Sequence, residues 1–377
     1  MIGTPRVAPL TSIRGLAAWW VAIYHFREYL PTAPDSWIIA VAARGFYAVD
    51  LFFILSGFVL QLNYSRLFWS PNITSLYTFS IARFARVYPL HLFMMLVFLI
   101  NPVMITLFSR HGLGQMDSRY NPIDYILSLL LIQNWGFRNF ETWNIPSWSI
   151  STEFAAYILF PMASYLILRR VRSSAIAILM IILLTGTISI VFWGYGAVSL
   201  GNNISELGLP RCVLEFLAGM VLCSFFQSHG PPKGQVRFLG GAAVILTLCF
   251  VGPVPDYVGV PAAFVSIVFG LTCPTGPLSN LLSCRPLLYL GEISYTTYMV
   301  HYFIKDWVKF LLVRDGVPEW LVFSTFIVVT FAASAALYKW VELPWRSRLR
   351  ASHYRGLGNS LLEPATVIPS VEANHDR

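Results

Sequence analysis

An all-α polytopic membrane protein is the fold class this sequence predicts, and three observations predict it. The 377 residues are 56% hydrophobic and only 12% charged, about half the charged share of a typical soluble domain. Mean hydropathy is +0.63. Apolar runs long enough to span a bilayer, or nearly so, recur along the chain. The aromatic share of 15% suits the Trp and Tyr belts that sit at headgroup level.

Ten such runs fall at about 10–30, 46–62, 84–108, 153–170, 174–195, 209–227, 237–252, 257–273, 287–313 and 319–342. An eleventh, Ile123 to Trp135, is short for a span and suits a re-entrant or interfacial segment. Positive charge arbitrates. With ten spans and the short run not crossing, Arg66, Arg83, Arg86, the Arg169/Arg170/Arg172 cluster, Lys233, Arg237, Arg285, Arg346, Arg348, Arg350 and Arg355 share one side with both termini. Arg44, Arg110, Arg119, Arg138 and Arg314 fall opposite. The positive-inside tendency makes the richer side, and so both ends, cytoplasmic. A crossing by the short run would put the 169–172 cluster outside.

Residues 1–350 therefore read as one integral-membrane domain, and 351–377, polar with Pro364 and Pro369, as a disordered cytoplasmic tail. The N-terminus lacks the basic, apolar and small-residue succession of a cleaved signal. The net charge of +8 would suggest nucleic acid in a soluble protein, but here loop arginines and topology explain it, so no nucleic-acid partner is expected. Cys212, Cys223, Cys249, Cys273 and Cys284 show no metal spacing and read as small core residues, with no metal site expected. Oligomeric state is not legible, and a homo-oligomer is left open.

The first span, Thr11 to Leu30, carries Arg14 and His25. Charge in hydrocarbon costs roughly 2.5–3.5 kcal/mol on insertion scales, so such groups face protein or water. Eleven helical residues separate the two by roughly 16 Å. An arginine near one face and a histidine near mid-membrane thus share one rod, with Glu28 at i+3 on the face of His25. A neutral imidazole is a natural base for a hydroxyl proton; a structural hydrogen bond weighs equally for this residue.

Arg83 and Arg86, at i and i+3 where a span starts, lie on one helix face and suit bidentate phosphate capture, or simple anchoring. In Asn144 to Glu153, Pro146-Ser-Trp-Ser149 breaks the chain, and Ser151 or Thr152 could cap a helix beginning at Glu153. Glu153 and Asp50 are acids in membrane segments; either could orient His25 or bind an acceptor hydroxyl, and a salt bridge to an arginine is the plain alternative. Ser56-Gly57 reads as close helix packing. His301, about fourteen residues into its span, is a second intramembrane histidine, followed by Lys305 and Asp306.

Together these motifs resemble the membrane-bound acyltransferase family 3. The resemblance rests on Ser12-Ile-Arg14-Gly15-Leu16-Ala17 with His25, on Val49-Asp-Leu-Phe-Phe-Ile-Leu-Ser-Gly-Phe58, on Arg83-x-x-Arg86 with Tyr88-Pro89, on Trp148-Ser-Ile-x-x-Glu153, and on Ser294-Tyr-x-x-Tyr-x-x-His301. They run in family order over residues 10–342. The opening Thr-Ser-Ile-Arg-Gly departs from the Asp-Gly-Leu-Arg-Gly-like start of many members, which removes any role for an acid there. The resemblance implies a stand-alone bacterial inner-membrane O-acyltransferase. Its donor would be cytoplasmic acyl-CoA, commonly acetyl-CoA, and its acceptor a hydroxyl of an extracytoplasmic carbohydrate. It also implies that Arg14 and His25 form the essential pair of the first helix, and that Arg83 and Arg86 serve the donor. With them we expect Arg14 on the donor side, His25, Glu153 and Asp50 at the chemistry, and Trp148, Ser149 and His301 at the substrate. A transporter or flippase using Arg, His and Glu as a relay is the competing class, and a non-catalytic scaffold or sensor ranks behind it.

Overall fold

The computed structural model describes residues 7–108, 118–171 and 173–349. The expectations for Arg110, Arg172, Arg350, Arg355 and the tail from Ala351 lie outside them. The described residues form helices and turns without a strand. In chain order these are α1 (Ala8–Phe26), α2 (Trp37–Ala42), α3 (Ala48–Tyr64), α4 (Ile73–Phe98), α5 (Ile100–Phe108), α6 (Pro122–Leu129), α7 (Trp148–Arg170) and α8 (Ser174–Gly194). There follow α9 (Ile204–His229), α10 (Gln235–Val251), α11 (Asp256–Leu271), α12 (Pro277–Leu282), α13 (Arg285–Glu292), α14 (Ser294–Leu312) and α15 (Glu319–Leu337).

Six helical stretches are long and apolar enough to cross a membrane: Trp37–Phe68, Ile73–Ile105, Ile145–Arg170, Ser174–Gly194, Ile204–His229 and Glu319–Leu349. α10 and α11 are apolar but shorter. α1 and α14 are not among the six; they carry the histidines, lysines and tyrosines described below. The short run around Ile123 becomes α6, eight residues and roughly 12 Å long. It is tied to α4 by His91 Nε2 on the Ser128 carbonyl (2.8 Å) and by the Tyr125 hydroxyl on the Met95 carbonyl (3.2 Å).

Local chemistry moves three boundaries from where hydropathy put them. Asn72 caps α4 by accepting from the Ser75 amide (2.8 Å), so the helix starts ten residues before Arg83 and the two arginines lie along it rather than at its start. α7 starts at Trp148, after a 3-10 turn at Ile145–Ser147, so Glu153 sits beyond the first turn instead of at the helix start. The run at 287–313 breaks at Ile293 into α13 and α14, and His301 is seven residues into its helix, not fourteen.

The centre is built where side chains are smallest. α3 and α9 make the most extensive helix pair. A Cβ at Gly57 would fall on the Phe216 carbonyl, and one at Gly219 on the Ile54 carbonyl. Ser56-Gly57 thus marks close packing as expected, a contact that small residues permit in membranes. α1 crosses α13 the same way, with Gly15 against the Leu290–Gly291 backbone and Gly291 against Thr11. The Ser12 hydroxyl donates to the Leu282 carbonyl. α1 is held between α3, α13 and α14.

Asp50 belongs to this packing. Its carboxylate, fully buried in α3, takes both forks of Arg211 on α9, Nε to Oδ1 at 2.6 Å and Nη2 to Oδ2 at 2.5 Å. Arg211 also donates to the Leu200 carbonyl (2.7 Å), fixing the loop before α9. The expected role beside His25 gives way to the salt bridge, because a buried guanidinium needs a carboxylate more than an imidazole does.

Two outcomes test this. Gly57→Leu is expected to lower the melting temperature in detergent and the monodisperse yield sharply, whereas Gly241→Ala, facing open space, is expected to leave both unchanged. Arg211→Met strands Asp50 and should cost about 3–5 kcal/mol, while the double variant Asp50→Leu/Arg211→Met should recover most of that loss in thermal melts.

Candidate active site

α1, α3, α4, α7 and α14 surround a cleft with about 800 Å³ of empty space, including its part open to solvent. Arg14, Arg83, Arg86, Ser149 and Glu153 all line it, so five of the nine expected site residues meet here. Ser56, Tyr157, Tyr295 and Tyr298 line it too. Three guanidinium groups and one carboxylate on a wall of apolar and hydroxyl-bearing side chains make a basic pocket, suited to an anion.

Arg83, Arg86 and Glu153 are each held by a neighbour. Arg83 donates Nη2 to the Tyr64 hydroxyl (2.8 Å) and lies 4.9 Å from that ring's centroid. Arg86 pairs with Glu342 and lies 5.5 Å from the Tyr295 ring. Glu342 is buried at the end of a π-helical turn, Tyr338–Glu342, that follows α15. Glu153 accepts from the Ser56 hydroxyl and from the Tyr157 hydroxyl (2.6 Å). It therefore belongs to the arginine cleft rather than to His25.

His25 sits at the other end of α1, roughly 16 Å from Arg14 along the axis. Its ring stacks on His301 (centroids 5.3 Å apart) and meets Tyr302 (5.2 Å) and Tyr24 (4.9 Å) edge-on. No hydrogen bond to its ring nitrogens is found among the described residues. His301 is fully buried; its Nδ1 lies 3.2 Å from the Thr297 carbonyl. A carbonyl only accepts, so Nδ1 carries the proton of the neutral ring and Nε2, buried and without a hydrogen-bond partner among the described residues, is the lone-pair nitrogen.

Tyr298 joins the two regions. Its hydroxyl and that of Ser149 are 2.7 Å apart, and both reach the Pro146 carbonyl (3.0 and 3.1 Å). The Tyr298 ring lines the cleft and lies 5.8 Å from His301. Asn144, donating to the Met299 carbonyl (3.1 Å), pins the same loop to α14. The Pro-Ser-Trp-Ser break is thus the seam between cleft and histidines.

Two expected residues stand elsewhere. Trp148 packs against Phe53, Gly208 and the Arg211 guanidinium and borders a smaller polar pocket with Asp124, Gln133 and Arg138, not the cleft. Glu28 lies outside α1, in the 3-10 turn Arg27–Tyr29, and pairs with Lys309 at the surface, so it does not share the face of His25. Sequence reasoning gave Ser56 to helix packing alone and passed over Tyr157, Tyr298 and Glu342. Tyr298 was within reach, being the second tyrosine of the Ser294-Tyr-x-x-Tyr-x-x-His301 motif; Glu342 carried no signal, since its pairing depends on a π turn. Among the described residues no group of three His, Cys, Asp or Glu side chains could hold a metal ion.

The family model described as acyltransferase domain matches residues 9–339. The chain is similar to acyltransferase MdmB of Streptomyces mycarofaciens, 30% identical over 333 residues that cover 80% of each chain. It is also similar to O-acetyltransferase OatA of Staphylococcus aureus, at 24% identity over 92% of this chain and 58% of that one. Peptidoglycan O-acetyltransferase OatA of Listeria monocytogenes is 26% identical over 93% of this chain and 57% of its own. The chain thus spans four-fifths of the first relative and under three-fifths of the other two. No solved structure matches. With a family model over nearly its whole length, the motifs in order and apolar helices throughout, the chain belongs to the membrane-bound acyltransferase family 3 and is a membrane O-acyltransferase.

Proposed function

We propose that the protein transfers an acyl group, acetyl in the simplest case, from cytoplasmic acyl-CoA to a hydroxyl of an extracytoplasmic carbohydrate. The observation that carries this reading is the position of α1, with Arg14 in a cleft of arginines and His25 among histidine and tyrosine rings about half a bilayer further on. Relatives named for O-acetylation and peptidoglycan support an acetyl donor and a glycan acceptor, and their bacterial sources support a bacterial inner membrane.

In this reading Arg83 and Arg86 grip the phosphates of CoA with guanidinium forks, and Arg14 adds its charge deeper in the cleft. Glu153 acts as the local counter-ion rather than as an acid. The acyl-bearing arm runs past Ser149 and Tyr298 toward His301 and His25. There His25 accepts the proton of the acceptor hydroxyl. The oxygen bonds to the thioester carbonyl carbon, the carbon–sulfur bond breaks, and the CoA thiolate leaves with the proton His25 received. The acceptor keeps the acyl group as an ester.

The same reading takes the ten helices of 16 residues or more as ten spans, with α6 not crossing. Both ends of the chain then belong to the cytoplasmic side, the side from which α4 runs inward to Arg83 and Arg86, which supports a cytoplasmic donor. One domain through residue 350 carries the activity, a view the extent of the family match supports.

Thiol release from acetyl-CoA by the purified protein tests the assignment. His25→Ala is expected to lose on the order of 10²–10⁴-fold in turnover while still binding CoA. Arg83→Ala/Arg86→Ala should weaken CoA binding about a hundredfold. A wild-type protein that binds no CoA would overturn the reading.

A further inference from the structure

Acyl transfer passes through a tetrahedral carbon whose oxygen carries negative charge, a charge that neither the phosphate-binding arginines nor the His25 base neutralises. Such a charge is stabilised by hydrogen-bond donors fixed in advance in a site shielded from water. Among the described residues Tyr298 is the one cleft-lining side chain whose ring meets a histidine, 5.8 Å from His301. Ser149 lines the cleft beside it.

Proton arithmetic at this pair leaves one donor to spare. Tyr298 Oη and Ser149 Oγ lie 2.7 Å apart, and each reaches the Pro146 carbonyl, at 3.0 and 3.1 Å. These are three contacts for two protons, since each hydroxyl donates once. While Ser149 donates to the carbonyl, Tyr298 can turn its proton into the cleft and leave no buried acceptor stranded. A lone tyrosine on that carbonyl would have to abandon it to serve a ligand, at the full cost of an unsatisfied group. Here the second hydroxyl takes over the bond.

Both hydroxyls are held in place. Ser149 sits in the first turn of α7 and Tyr298 in the interior of α14. The Asn144 amide, on the Met299 carbonyl at 3.1 Å, ties the break before α7 to the helix that carries Tyr298. Phe52 meets the Tyr298 ring edge-on at 5.8 Å. Joining α7 to α14 needs only one hydroxyl at Pro146, and neither needs a place on a cavity wall for it. The second hydroxyl and the open wall together suit a donor to a ligand.

We propose that Tyr298, relieved by Ser149 at the Pro146 carbonyl, donates a hydrogen bond to the thioester carbonyl oxygen and stabilises the oxyanion of acyl transfer. This rests on the reading of the cleft as an acyl-CoA site. The acceptor oxygen gives its proton to His25 and bonds to the carbonyl carbon, and the π pair moves onto the carbonyl oxygen. Tyr298 keeps its own proton and only donates to that oxygen. The electron pair then returns, the carbon–sulfur bond breaks, and the thiolate leaves with the proton from His25.

Thiol release and infrared spectra of bound acetyl-CoA test it. Tyr298→Phe should lower kcat about 10²–10³-fold while the KM for acetyl-CoA and the melting temperature stay at their wild-type values. Ser149→Ala, which leaves Tyr298 alone at Pro146, should lower kcat about tenfold. In the His25→Ala background, where acetyl-CoA binds without turning over, the thioester carbonyl band should stand at lower wavenumber than in water. Adding Tyr298→Phe should move it back up. Should Tyr298→Phe fail to fold, a ring-fluorinated tyrosine in its place, the same shape but a stronger donor, should lower the band further. A merely structural tyrosine would alter KM or melting temperature and leave the band unmoved. An unmoved band overturns the assignment, as does a Tyr298→Phe variant with wild-type kcat. A wild type that binds no acetyl-CoA overturns instead the function on which the assignment rests.

Discussion

A guanidinium or carboxylate inside an apolar helical bundle has two stable settings, opposite a counter-charge or against a cleft that admits water or an anion. Five charged side chains of this protein, and Glu342, sort by that constraint. Asp50 and Arg211 close on one another between α3 and α9 and belong wholly to the fold. Arg86 and Glu342 are intermediate, paired at a cleft wall with one partner buried and the other reaching the cavity. Arg14 and Arg83 line the cleft outright.

The geometry of α1 follows from backbone contacts rather than from its polar residues. Gly15 and Gly291 let it lie against α13, Ser12 ties it to α12, and α14 covers its far half. A helix gripped at several points keeps Arg14 and His25 at a fixed separation. The π turn after α15 performs a similar service for Arg86, since the extra residue aims Glu342 at the cleft wall; such turns recur at functional sites.

Much of this was legible in the sequence because hydrophobic runs and rare intramembrane charges are local signals. The helical class, the shortness of α6, the arginine pair and the two histidines could all be read from spacing. What could not be read depends on tertiary pairing. Asp50 looked like an acid for His25 because nothing in one dimension shows that Arg211, 161 positions away, faces it. Glu153 looked like a partner of the histidine for the same reason, and it lies instead with Ser56 and Tyr157. Glu28 was placed on the face of His25 by extending α1, which ends at Phe26. The helix break at Ile293, whose glycine, Gly291, lies inside the last turn of α13 rather than past its end, also escaped, and with it the position of His301 in its helix.

The central claim is that one helix links a donor site at Arg14, Arg83 and Arg86 to a proton acceptor at His25. A structure of the protein in nanodiscs with a non-hydrolysable acyl-CoA analogue tests it most directly. The account predicts CoA phosphates within hydrogen-bond distance of Arg83 and Arg86, the arm passing Tyr298, and the acyl carbonyl beside the His25 and His301 rings. A nucleotide seated outside the cleft, or an acyl group ending at Glu153 away from the histidines, would contradict it.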